Sequence, residues 1–134
     1  MIGILIVAHG KLGESLLHCS SHVMGKRPEK LEYLVVETND DPNVLMTKAM
    51  TMVNQLNDGD GVLILADMYG ATPCNIVTKL VQKNQVEAVA GVNLPMLVRT
   101  LTYRDSKLSV LVEKAVSGGR EGVVQFDAES CKHD

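Results

Sequence analysis

Short unbroken apolar runs alternate along the chain with longer stretches in which apolar residues return every three or four positions. The runs Ile2 to Ala8, Leu31 to Val36, Val62 to Ala66 and Ala88 to Val92 are bounded by polar or turn-forming residues. Their length and their share of β-branched side chains predict buried strands. Between them, Leu12, Leu16, Cys19 and Val23 fall on one helical face ahead of Gly25. Leu45, Ala49, Met52, Val53 and Leu56 do the same ahead of the turn at 57–61, and Asp41 as N-cap with Pro42 at the first helical position opens that helix. A third helix is predicted to start with Thr72 as N-cap and Pro73 behind it, and to carry Ile76, Val77, Leu80 and Val81. Two shorter helices are expected from Pro95 to Thr102 and from Ser106 to Val116, the second stopped by Gly118 and Gly119. A last strand-like run, Gly122 to Phe126, precedes a polar tail. Strands and helices in alternation predict an α/β fold: an open, mostly parallel sheet with helices on both faces.

Composition narrows the class. A chain of 134 residues with 46% apolar content can build one solid core. No repeat or low-complexity linker divides it, so residues 1–126 are expected to form one domain, with 127–134 as a frayed tail. A formal charge of −3 without a Lys/Arg block argues against a nucleic-acid binder or a membrane-surface protein. The apolar runs are strand-sized and the first residues lack the pattern of a signal peptide, which predicts a cytoplasmic protein without membrane insertion. Cys19, Cys74 and Cys131 are odd in number and widely spaced, and read as reduced thiols.

The candidate chemistry gathers at two strand ends. His9 follows the first predicted strand, and Asp67 follows the third, ahead of Met68-Tyr69-Gly70-Ala71-Thr72-Pro73-Cys74-Asn75. In a parallel sheet these turns open on the same edge, where ligands bind at the point at which the winding reverses. A carboxylate accepting the N–H of one ring nitrogen fixes the histidine tautomer and leaves the other nitrogen as an oriented base, nucleophile or metal ligand. Gly70, Ala71 and Thr72 add small residues, a hydroxyl and free N–H groups at a helix start, the makings of a phosphate cradle. Each residue also has a plainer reading: His9 as a satisfied loop histidine, Asp67 as a turn residue, Thr72-Pro73 as a helix start alone. His18 and His22, four apart with Cys19 between, have the spacing of a metal pair, but a solvated helix face is the commoner meaning of that pattern. Cys131 and His133 make a weaker case still, so no metal site is expected. No G-x-x-x-x-G-K-[ST] loop occurs, and Gly25-Lys26 lacks both its upstream Gly and the following Ser/Thr, which argues against direct use of ATP.

Three segments and a fourth, taken in order, carry a resemblance: Ala8-His9-Gly10, Asp67-x-x-Gly70-x-Thr72-Pro73-x-Asn75, Ala90-Gly91-Val92-Asn93-Leu94-Pro95-Met96-Leu97, and Gly119-Arg120-Glu121-Gly122. Together they resemble the mannose-family IIA component of the bacterial phosphotransferase system, from residue 2 to about 126. The resemblance implies a phosphoryl carrier in which His9 accepts a phosphoryl group on Nε2 from the phosphocarrier HPr and passes it to a IIB component, while Asp67 holds the other ring nitrogen. It implies no cofactor and no metal. It also implies a sheet in the order 2-1-3-4, with a fifth, antiparallel strand at Gly122 to Phe126 exchanged between the subunits of a homodimer. The family more often has Gly-Gly-Ser-Pro-Phe-Asn where this chain has Gly70 to Asn75, and a larger aromatic at Tyr69. The Thr72 hydroxyl preserves the cap, whereas Ala71 and Cys74 bear on backbone freedom and on partner choice. Two further classes stay open: a standalone regulatory protein whose His9 phosphorylation state selects partners, and a domain that binds anions at the Thr72 helix without covalent chemistry.

Overall fold

The computed structural model describes residues 1–68 and 72–130, with the backbone alone for 72–74. Four strands form one parallel sheet: β1 (Gly3–His9), β2 (Leu31–Val36), β3 (Val62–Ala66) and β4 (Val86–Ala90), in the order β2-β1-β3-β4. Five helices connect and cover them: α1 (Leu12–Met24), α2 (Pro42–Leu56), α3 (Thr72–Leu80), α4 (Leu94–Thr102) and α5 (Leu108–Glu121). The central strands β1 and β3 are apolar at almost every position because side chains of both parities are buried. Ile4, Ile6, Leu63 and Leu65 pack under α1, α4 and α5 on one face. Leu5, Val7, Val62 and Ile64 pack under α2 and α3 on the other. The edge strands β2 and β4 are only partly covered.

The predicted α/β class, the strand order and the opening of α2 agree with the structure. Asp41 accepts from the N–H of Asn43 at 2.9 Å with Pro42 behind it, and Gly25 ends α1 in the left-handed region at φ 80°. Several details differ. The buried face of α1 is Gly13, Leu16, Leu17 and Ser20, turned away from the predicted stripe, so Leu12, Cys19 and Val23 are exposed. Gly13 sits there because a Cβ would stand 2.9 Å from the Tyr33 side chain. β4 runs two residues earlier than predicted, since Gly91 at φ 86° breaks the extended chain. Val81 falls just past α3 and is 42% exposed.

Helix α5 overturns a stop signal. It runs through Gly118 and Gly119 to Glu121, because the two glycines admit α4: a Cβ on them would stand 2.9 Å from Arg99 Cβ and 2.7 Å from Met96 Cε. The run Gly122 to Phe126, expected as a strand exchanged between subunits, forms no ladder within the single chain. Val123, Val124 and Phe126 there are exposed. The Cys131 and His133 tail lies outside the described residues. Among the described residues no helix is long and apolar enough to cross a membrane.

Candidate functional site

Parallel pairing brings the two strand ends together. The register aligns Val7 with Ala66, so Asp67 follows directly beside the end of β1, and its N–H donates to the Val7 carbonyl at 3.2 Å. On the other side of β1, Gly10 donates to the Val36 carbonyl at 3.1 Å. This hydrogen bond turns the chain sharply after His9, with Gly10 at φ 54°, a conformation that costs an L side chain strain even though open space surrounds the position. Beyond β3, Val92 donates to the Ala66 carbonyl at 3.0 Å and draws the β4–α4 turn to the same edge. Helix α1 leaves toward one face and α3 toward the other, so the winding reverses between β1 and β3. That crevice is where open α/β sheets bind ligands.

His9 and Asp67 meet there. Asp67 Oδ2 accepts from the His9 backbone N–H at 3.0 Å and lies 2.8 Å from His9 Nδ1, and Asp67 Oδ1 accepts from the Met68 N–H at 2.9 Å. The Asp67 side chain is 10% exposed, the His9 side chain 46%. Burial pushes the Asp67 carboxyl up, but the His9 N–H, the His9 ring and the Met68 N–H together outweigh it and hold it below its ordinary value. Asp67 is therefore an anion at neutral pH and can only accept, so Nδ1 carries the proton. In the neutral ring the lone pair is then on Nε2.

Of the other residues singled out in the sequence, Gly70 and Ala71 lie outside the described residues, and Thr72 is described by its backbone as the first residue of α3. Its expected cap bond lies outside them too. Asn93 has two defined roles. Its Oδ1 accepts from the Met96 N–H at 2.9 Å as the cap of α4, and its amide donates to the Gly119 carbonyl at 3.1 Å, tying α5 to the carboxyl edge of the sheet. His18 and His22 lie exposed on α1, and among the described residues no group of three metal-ligating side chains forms. Sequence reasoning passed over Lys11, between Gly10 and the first turn of α1. It also passed over Arg104, a buried guanidinium at the opposite end of the sheet, which donates to the carbonyls of Ile2, Glu29 and Lys30 and fastens the end of α4 to the starts of β1 and β2. Neither residue belongs to a periodic pattern.

A parallel sheet in this order, with an aspartate-held histidine at its switch point, defines an open α/β domain built to present one imidazole nitrogen. The chain belongs to the EIIA-man family, whose model, described as "PTS system fructose IIA component", matches residues 3–116. It is 36% identical over 131 residues to the PTS system mannose-specific EIIAB component of Escherichia coli (strain K12), covering 96% of this chain. The chain spans 40% of that protein's length. It is 27% identical over 106 residues to the PTS system fructose-specific EIIA component of Bacillus subtilis (strain 168), covering 78% of this chain and 72% of that one. The crystal structure of phosphotransferase system component EIIA from Streptococcus agalactiae superposes with a TM-score of 0.83 at 27% identity, over 94% of this chain and 98% of the other.

Proposed function

We propose that this chain is a phosphohistidine carrier of phosphotransferase-system sugar uptake, taking a phosphoryl group from phospho-HPr on His9 and passing it to a IIB component. The single observation that carries this reading is the Asp67 carboxylate on His9 Nδ1, which leaves Nε2 as the nucleophile. Family membership supports the same chemistry. In the step, the Nε2 lone pair attacks the phosphorus of the donor's phosphohistidine. A new N–P bond forms as the donor's N–P bond breaks, and that electron pair returns to the donor ring. The phosphoryl oxygens keep their charge, and no water or nucleotide takes part. Onward transfer repeats the exchange with the IIB nucleophile.

An oriented imidazole is sufficient for such an exchange, because phosphoryl transfer depends on positioning and charge compensation more than on covalent machinery. Asp67 supports the positive charge that grows on the ring. Gly70, Ala71 and Thr72 are proposed to cradle the phosphoryl oxygens at the start of α3. We also take residues 1–126 as one IIA domain followed by a short tail, and the active form as a homodimer joined by exchange of 122–126 onto the free edge of β4. The carrier is assigned to the cytoplasm, where HPr is charged from phosphoenolpyruvate. The sugars for which its relatives are named differ, mannose for one and fructose for another.

The test is intact-mass spectrometry at alkaline pH after mixing the chain with phosphoenolpyruvate, enzyme I and HPr. A gain of one phosphoryl group, labile in acid and lost in a folded His9→Ala variant, is expected. No gain with HPr phosphorylated in the same tube overturns the carrier reading, and uptake by His9→Ala overturns the assignment of the acceptor.

A further inference from the structure

We infer that Lys11 is the side-chain cation that compensates the phosphoryl charge at His9, a role resting on the reading of His9 as the phosphoryl acceptor. Four segments connect the carboxyl ends of the strands to the helices that follow them: 10–11, 37–41, 67–71 and 91–93. Their carboxylates are Glu37, Asp40, Asp41 and Asp67, and Lys11 is the one Lys or Arg in all four. Phosphorylation brings roughly two further negative charges to an edge that is already acidic, next to an ionised Asp67. Charge compensation there falls to Lys11 and to backbone N–H groups.

The surroundings of Lys11 fit the task. Its backbone is fixed: Gly10 is bonded to Val36, and the Lys11 carbonyl accepts from the Ser15 N–H at 3.0 Å as α1 begins. Its side chain is exposed and makes no side-chain cap bond to α1, and no ion pair or hydrogen bond among the described residues engages its ammonium. Three other cations of the chain are committed elsewhere, Lys30 to Asp58 at 2.8 Å, Arg99 to Glu121 and Arg104 to three carbonyls. Two of the three acids of the β2–α2 turn are likewise committed to backbone, Asp40 to the Glu37 N–H and Asp41 to the Asn43 N–H. Glu14, in the first turn of α1, is the nearest acid on the same helix. Arg120 reaches the same edge from the last turn of α5, but on the β4 side, where that helix end meets Asn93 and Pro95. Only the residue Gly10 separates Lys11 from His9, and a flexible four-carbon stem brings the ammonium within reach of oxygens on Nε2.

The experiment compares the rate of phosphoryl uptake from phospho-HPr in wild type, Lys11→Gln, Lys11→Arg and Lys107→Gln across a range of salt concentrations. Lys107 precedes α5, and Leu108 beside it packs against Gly61 at the amino edge of the sheet. Loss of one nearby charge at partly screened range is expected to slow uptake roughly fivefold at low salt. The salt dependence should flatten in Lys11→Gln, recover in Lys11→Arg and stay as in wild type in Lys107→Gln. A merely structural role leaves the salt dependence unmoved, and equal thermal melts confirm that the fold is intact. Wild-type rate and salt dependence in Lys11→Gln overturn the role. No uptake by wild type, with HPr phosphorylated, overturns the carrier reading and this role with it.

Discussion

At the residue scale, one carboxylate oxygen does two things at once: Asp67 Oδ2 holds the His9 backbone N–H and the His9 ring. Asp67→Asn keeps the shape and removes the charge, and an amide in this place is free to offer its NH₂ to Nδ1 and reverse the tautomer. A hydrogen bond to a charged group is worth about 1.5–3 kcal/mol. Phosphoryl uptake in Asp67→Asn is therefore expected to fall roughly 10- to 100-fold in stopped-flow assays with phospho-HPr. The same bonds have a pH signature. The Asp67 carboxyl is held below its unfolded value, so its stabilisation is complete above about pH 4 and is lost as pH falls through the folded value. Asp58, bonded chiefly to Lys30 and lowered to about 2, titrates in the same sense at the surface. Urea unfolding between pH 5 and pH 2.5 is expected to show stability declining with acid, less steeply in Asp67→Asn than in wild type. The pair itself was legible in the sequence because both residues end strand-like runs, and a parallel sheet leaves such ends side by side. Lys11 was not, since an exposed lysine in a turn becomes informative only when the topology shows which other turns share its edge.

At the scale of elements, the sequence spoke clearly where a local interaction decides and poorly where packing does. Asp41-Pro42 and Gly25 act within one turn of chain, and the structure has them as read. Gly118 and Gly119 carry the local signature of a helix stop, yet α5 continues through them, because close approach to α4 needs the missing side chains. The stripe on α1 is displaced for a related reason: Gly13 is buried against Tyr33 and so pulls a different face inward. The two α5 glycines should respond differently to alanine. At Gly118 the new Cβ meets Arg99 Cβ at 2.9 Å, which cannot yield without moving α4. At Gly119 it meets Met96 Cε at 2.7 Å, the tip of a side chain able to swing away. Alanine in place of helical glycine gains about 0.8–1 kcal/mol in propensity, while overpacking costs about 1–3 kcal/mol. Gly118→Ala is expected to lose about 1 kcal/mol and Gly119→Ala to be neutral or slightly stabilised, both read from urea midpoints at unchanged slope.

At the scale of the whole molecule, the sheet is left open at β4, an edge strand only half covered. A cleft of about 340 Å³ runs beside it, lined by Ala66, Val77, Val81, Ala88 and Ala90. The same chain holds out Val123, Val124 and Phe126 at 79%, 66% and 70% exposure. Beyond Val86, which bridges to Gln82, the β4 edge and this exposed apolar segment are complementary liabilities, and pairing one with the other across two subunits removes both. Burial of side chains of this size contributes about 1.5–3 kcal/mol each. Light scattering at micromolar concentration is therefore expected to give the mass of two chains, and Phe126→Asp to shift it toward one. A one-chain mass for wild type overturns the dimer. Because both partners of the His9–Asp67 pair come from the ends of β1 and β3 of a single chain, His9 as the last residue of β1 and Asp67 as the first after β3, the Phe126→Asp monomer should still take up a phosphoryl group. Loss of uptake in a folded monomer would instead mean that the second subunit completes the site.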